Sequence, residues 1–241
     1  MNILSELEDF INEFNQLEDE EFSIDSIRVE YQKQHKQSKL NELGNWNKIN
    51  VNDRKILAKL KKRLTLDEVT TAYQLENYNI YYYNSSTPPK YNKATMVIFA
   101  MKQYHKDPPP HHIIRSILNI LTFGTSKVSV NLDVCKDFLY KPNMREVSKR
   151  FELKPYVTKF GLVTDTRYIN NPEITMIEKI VIYNKQFKND LSFKVWRAEA
   201  KIIIPNIREL ALPLHEFKRE VTDLMKKPTA LVIANQLIEG I

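Results

Sequence analysis

The chain has 241 residues, of which 42% are hydrophobic and 27% charged. That balance supports one large or two small domains with a real core and excludes disordered, collagen-like and membrane-spanning classes. Four Gly, 11 Pro and 12 Tyr leave little flexible punctuation, and a single Cys permits no internal disulfide, so a reducing, cytoplasmic setting is expected. The first residues carry no basic segment ahead of an apolar core, and the longest apolar runs, such as Ile202 to Ile204 and Ala230 to Ala234, are too short for a bilayer; no membrane partner is expected.

The formal charge of +6 hides an asymmetry. Residues 1 to 27 hold nine acids (Glu6, Glu8, Asp9, Glu13, Glu18, Asp19, Glu20, Glu21, Asp25) and no Lys or Arg, so residues 28 to 241 carry +15. A body this basic attracts polyanions, nucleic acid first among them, through contacts that weaken steeply with salt. Solvated surface lysines give the same count, and charge alone does not choose between the two.

In chain order, Ile3, Leu4, Leu7, Phe10, Ile11, Phe14 and Leu17 recur at steps of three and four, which predicts an acidic amphipathic helix over residues 1–21. Its apolar face must dock, either on its own domain, the commoner case, or on a protein partner. Ile27, Val29 and Tyr31 then alternate with Ser26, Arg28 and Glu30 in a first strand, and a Gln- and Lys-rich stretch to about Val51 reads as loop. Asn52 is positioned to cap a helix bearing Ile56, Leu57 and Leu60, and Thr65 with Glu68 forms a capping-box pattern that continues it through Tyr73. Lys59, Lys62 and Arg63 make this helix a candidate nucleic-acid contact, against the plainer reading of a solvated outer face.

Tyr78 to Tyr83 and Thr95 to Met101, separated by Ser-Ser-Thr-Pro-Pro, predict a hairpin; Asp107-Pro-Pro-Pro opens a helix bearing Ile113, Ile114, Ile117, Leu118 and Leu121, which Gly124 ends. Val128, Val130, Leu132 and Val134 alternate with Ser129, Asn131, Asp133 and Cys135 in the clearest strand. Tyr156 to Ile169, Thr175 to Tyr183 and Ser192 to Ile204 are β-like, and helices starting at Pro213 and Pro228 close the chain. The expected fold is α+β: a mixed or antiparallel sheet with a β-α-β-β-α-β core over residues 22–205, the N-terminal acidic helix, and a C-terminal helical pair over 206–241 packed on the same domain.

Four scattered Gly give no phosphate loop or dinucleotide fingerprint, and one Cys excludes zinc ribbons and iron–sulfur clusters. His35, His105, His111, His112 and His215 never form a His-x-His pair, and His111 and His112 point about 100° apart on a helix. What remains is polar residues on the hydrophilic phase of apolar strands: Asp133; Glu199 with Arg197 and Lys201; and Tyr183 with Lys185. Were those strands neighbours, two carboxylates, a lysine and a tyrosine would converge on an open face, and the hard oxygens would suit Mg²⁺ or Mn²⁺. A solvated face with cross-strand ion pairs is the plainer alternative.

The Ile-Asp-Ser-Ile-Arg-Val strand at Ile24 to Val29, the Leu-Asp-Val at Asp133, the Tyr-Asn-Lys at Tyr183 to Lys185 and the Arg-x-Glu at Arg197 and Glu199 resemble the initiator proteins of rolling-circle replication in small plasmids and filamentous phages, in the branch without a paired-histidine motif. The resemblance covers about residues 22 to 205. It implies a DNA-binding, site-specific endonuclease whose tyrosine becomes linked to a 5′ phosphate. By the same resemblance Asp133 and Glu199 are the metal ligands for Mg or Mn, Lys185 and Arg197 contact phosphate, and Tyr183 is the candidate nucleophile; Lys201, on the face of Arg197 by the two-residue period, is a further candidate nucleic-acid contact. Some relatives place a tyrosine beside the glutamate where this chain has Ala198, so either another tyrosine, with Tyr81, Tyr82 and Tyr83 as alternates, takes the role or the activity is lost. A non-catalytic nucleic-acid-binding protein and a viral or plasmid structural or assembly protein remain the competing readings.

Overall fold

The computed structural model describes residues 3–50, 53, 69–76, 78–85, 93–98, 101, 109–123 and 127–227. The fold is α+β, with antiparallel sheet, an N-terminal helix and C-terminal helices. The chain forms two compact units, one of residues 1–134 with 203–209, the other of residues 135–202 with 210–241.

In the first unit, helix α1 (Ile3–Glu18) buries Ile3, Leu4, Leu7, Ile11 and Phe14. It packs on helix α3 (His111–Thr122), which turns Ile114, Ile117, Leu118 and Leu121 inward. Glu8 ties the pair on the outside, accepting from Arg115 Nη2 at 2.7 Å and lying 3.1 Å from His111 Nδ1. Each buried Leu or Ile contributes about 1.5–3 kcal/mol, against under about 1 kcal/mol for such exposed ion pairs, so apolar packing holds the acidic helix in place.

The strands are β1 (Ser23–Tyr31), β2 (Trp46–Ile49), β3 (Val69–Leu75), β4 (Ile80–Ser85), β5 (Lys93–Ile98) and β6 (Lys127–Phe138), in spatial order β2-β3-β4-β5-β1-β6, and a short helix α2 (Gln37–Asn41) precedes β2. The expected hairpin is present as β4 and β5, with Tyr82 opposite Met96. Two expectations fail. The stretch read as loop contains β2, and residues 69–73, read as the end of a helix, lie in β3, which pairs Tyr73 with Tyr82. The β-branched and aromatic content of Val69-Thr-Thr-Ala-Tyr73 and a ready partner in β4 outweigh the capping pattern at Thr65. The expected helix from Asn52, with Lys59, Lys62 and Arg63, lies outside the described residues, as do Asp107, Gly124 and the Pro228 helix.

The second unit holds the last four residues of β6, and its strand order is β6, β10 (Trp196–Ile204), β9 (Ile177–Asn184), β8 (Val163–Asn170) and β7 (Lys154–Val157). The β10–β9, β9–β8 and β8–β7 ladders are antiparallel. The β-like run from Tyr156 to Ile169 lies in a hairpin, turned at Gly161, whose φ of +79° favours a residue without Cβ. Helix α4 (Arg145–Arg150) precedes this hairpin. One phase of the sheet (Ile169, Ile180, Ile182, Ala198, Ala200, Ile202) is buried, as are Leu214, Phe217, Val221 and Met225 from the C-terminal helical stretch. That stretch opens with a 3₁₀ turn at Ile207–Leu210, earlier than the expected start at Pro213, and continues as α6 (Ala211–Phe217), a π turn (Lys218–Thr222) and α7 (Asp223–Met225).

Candidate functional site

The other phase of the second unit's sheet is polar. Antiparallel register sets Tyr183 opposite Arg197, Val181 opposite Glu199, Lys179 opposite Lys201 and Tyr168 opposite Val181. Directly opposed residues project to the same side of a pleated sheet, so Tyr183, Arg197, Glu199, Lys201 and Tyr168 share one face.

At its centre the Tyr183 hydroxyl donates to Glu199 Oε2 at 3.2 Å, along the diagonal between adjacent strands. The tyrosine is 6% exposed and Glu199 is half-buried. Lys188 Nζ stands 4.3 Å over the Tyr183 ring, a cation–π contact that places a positive charge beside the phenol. It gets there by a local device: β9 ends at Asn184, whose Oδ1 caps the short helix α5 (Lys185–Asn189) by accepting from Phe187 N at 3.0 Å. The amides of Lys185 and Gln186 both donate to Val195 O, at 2.8 and 3.0 Å, and fold the helix back toward the start of β10.

Lys185 is therefore the first residue of a helix rather than a continuation of the strand, and it is 1% exposed. The cation found over Tyr183 is Lys188, three residues further on. The sequence signal for it was present: an Asn N-cap after a β-run starts a helix, and helical spacing then returns a basic residue toward the strand end.

Arg197 is fully buried and held bidentately by Asp137 of β6, with Nε donating to Oδ1 at 2.6 Å and Nη2 to Oδ2 at 2.8 Å. Reading the strand as ending at Cys135 hid Asp137; the alternation that singled out Asp133 runs on through Cys135 to Asp137. Lys201 pairs with Glu178 at 2.6 Å. Tyr168 carries Lys179 Nζ 4.5 Å over its ring, and its hydroxyl is pushed above the usual tyrosine range by burial, then by Tyr156 and Glu199.

The structure brings Tyr183 together with Glu199 and sets Arg197 directly across the ladder. Asp133, half-buried, belongs to the first unit, whereas Glu199 belongs to the second. Among the described residues no three His, Cys, Asp or Glu side chains gather as a metal-holding set. Asp137 is committed to Arg197, and one Glu199 oxygen accepts from Tyr183. Mg²⁺ is commonly held by one or two carboxylates with its remaining positions on phosphate and water, so carboxylates of this kind suit such an ion.

The alternate tyrosines are core residues of the first unit. Tyr81, Tyr82 and Tyr83 are 2%, 0% and 6% exposed. Tyr82 Oη accepts from the His35 amide at 2.9 Å, and burial pushes its hydroxyl up to about 12. Of the histidines, His35 is structural, with Nδ1 3.1 Å from Tyr82 Oη and Nε2 2.9 Å from Leu121 O.

No family model matches the chain, and no curated protein matches it. Among solved structures it is similar to a rolling circle replication initiator protein from Geobacillus stearothermophilus, at 12% identity over 87% of this chain and 88% of that one, with a TM-score of 0.47. Among the described residues no helix is long and apolar enough to cross a membrane.

Proposed function

We propose that the chain is a DNA-binding replication protein of the rolling-circle type whose second unit transfers a DNA strand to Tyr183. The observation that carries this reading is the Tyr183–Glu199 hydrogen bond with an ammonium over the same ring. Glu199 stands within reach of the proton that a phenol must lose to act as a nucleophile, which is the geometric requirement for a general base. Lys188 favours the developing phenolate by proximity of opposite charge.

Tyr183 Oη attacks phosphorus as its proton passes to Glu199. The phosphorus–Oη bond forms, the bond to the 3′ oxygen breaks, and that oxygen leaves with a proton from water. The products are a 5′-phosphotyrosine and a free 3′ hydroxyl. The +15 carried by residues 28 to 241 supplies long-range attraction for the polyanion.

One observation favours binding without catalysis: Tyr183 is 6% exposed, and the guanidinium across from it is already held at both Asp137 oxygens. The two readings separate in one experiment. Single-stranded oligonucleotides of candidate origin sequence are incubated with the protein, with and without Mn²⁺, then denatured. Transfer predicts a denaturant-resistant adduct that falls by about 100-fold or more in Glu199→Gln, the scale of a lost general base. A parent protein that binds DNA and forms no adduct under either condition establishes the binding-only reading.

A further inference from the structure

Large exposed apolar side chains are scattered singly over most of the described surface, with one exception. Tyr156, Val157, Phe160, Leu162 and Val163 all fall within eight residues at the β7–β8 hairpin, and Phe160, Leu162 and Val163 are 78%, 66% and 64% exposed. Exposed apolar surface gathered at one place calls for an explanation that single exposed residues do not.

The tip is a built turn. Thr158 N donates to Leu162 O at 2.9 Å, Gly161 N to Thr158 O at 2.9 Å, and Leu162 N to Thr158 Oγ1 at 3.1 Å. Every bond fixes the backbone so that Phe160 and Leu162 stand outward, and Gly161 supplies the positive φ the turn needs. Holding these side chains in water costs free energy that an internal core would have recovered.

We propose that this hairpin tip is a contact surface for unpaired nucleic-acid bases, with Phe160 and Leu162 against the base faces and Lys159 and Lys154 toward the phosphates. The inference rests on the reading that the chain binds DNA, and adds the place and the kind of contact. Three observations select this occupant. Residues 154 to 167 carry three cations (Lys154, Lys159, Arg167) and one acid (Asp165), a net +2 that suits a polyanion, and the neighbouring acid Glu152 pairs with Lys154 at 3.2 Å. Lys159 Nζ lies 4.8 Å over the Phe160 ring, so cation and apolar face occur side by side, as phosphate and base do. The ring pair Tyr156–Tyr168, with centroids 6.3 Å apart, continues aromatic surface from this hairpin onto the polar sheet face.

A second copy of the chain joining through the β7 edge is disfavoured by the same segment. Pro155 offers no amide hydrogen to a new strand, Lys154 brings charge to the edge, and the ladder slips between Pro155 and Val157.

The test uses the full chain, a single-stranded oligonucleotide carrying 2-aminopurine, and anionic phospholipid vesicles. Phe160→Ser with Leu162→Ser changes only exposed side chains, so the denaturation midpoint serves as the folding control. The proposal expects this variant to lose about tenfold or more in oligonucleotide affinity with an unchanged salt dependence, since stacking and not phosphate contact is removed, while Lys159→Ala lowers the salt slope by about 1. The 2-aminopurine signal change on binding is lost in the same serine variant. If the parent binds DNA and the variant binds it equally well, the hairpin proposal is overturned while the DNA-binding reading stands. If the tip residues control vesicle binding and leave DNA affinity alone, the surface is a lipid contact and the proposal is equally overturned. A parent chain that binds no DNA removes both.

Discussion

Replacing Asp137 by Asn leaves the shape of the second unit's sheet intact and removes the negative charge that faces a fully buried guanidinium. Arg197 is 0% exposed and Asp137 15%, so the arginine has no route to solvent once its partner is neutral. Breaking a buried pair from one side costs about 3–5 kcal/mol, and the partial exposure of Asp137 places the expected loss near the lower end, about 3 kcal/mol. With a urea slope of about 2 kcal/mol per molar, the unfolding midpoint of this unit falls by about 1.5 M. The chain has two tryptophans, Trp46 and Trp196. Trp196 is buried beside Arg197 in the second unit, so fluorescence in a Trp46→Phe background follows this unit alone. Because the pair is buried, the loss should change little with salt. Replacing both partners with apolar residues, Asp137→Leu with Arg197→Met, should recover most of the stability, since it strands no charge. A midpoint shift below about 0.3 M, or a double variant no better than Asp137→Asn, would refute the claim that neutralising Asp137 strands a buried charge.

Four further outcomes follow from the first unit. Burial raises the Tyr31 and Tyr82 hydroxyls to about 12 from 10.0; a raised folded value means the contribution is intact below pH 10, then lost between about 10 and about 12 as the unfolded chain ionises first. Alkaline denaturation followed beside a tyrosine titration should show the unit losing stability across that window. Burial holds His35 below the usual histidine range, so its contribution is present above about 6.5 and lost as pH falls through the folded value; His35→Gln should flatten the acid limb of the denaturation midpoint. In α1, Leu7→Ala should cost about 2–5 kcal/mol, read by urea denaturation. Neutralising the exposed acids Asp9, Glu13, Asp19 and Glu21 as amides should leave stability nearly unchanged and tighten DNA binding, measured by fluorescence anisotropy.

The parts of this fold that were legible in the sequence are those where one local pattern dominates. The α1 periodicity, the Tyr-rich β4 with its β5 partner, and the alternation of β6 all reappear as structure, because burial on one face leaves no competing arrangement. β2 and β3 were illegible for a different reason: four residues of Trp-Asn-Lys-Ile carry no period, and at 69–75 a helix-start pattern stood immediately upstream of a strand. The Gly161 turn was missed because the runs on both sides are alike in β content. At the site, Tyr183, Glu199 and Arg197 were marked by the polar phase of their strands. Asp137 and Lys188 were not, since the first needs the true length of β6 and the second needs the helical return at Asn184. Pairing across a sheet depends on register, and register belongs to the fold and not to either strand alone.

Transfer to Tyr183 is tested most directly by the identity of the atom that takes the DNA. Adduct formed with single-stranded origin DNA is digested with protease and nuclease, and the peptide retaining a nucleotide is identified by mass spectrometry, with Tyr183→Phe run in parallel. Transfer to Tyr183 predicts a phosphotyrosyl nucleotide on the peptide containing Tyr183 and no adduct from the phenylalanine variant. A nucleotide on the Tyr81–Tyr83 peptide, or undiminished adduct from Tyr183→Phe, would contradict it.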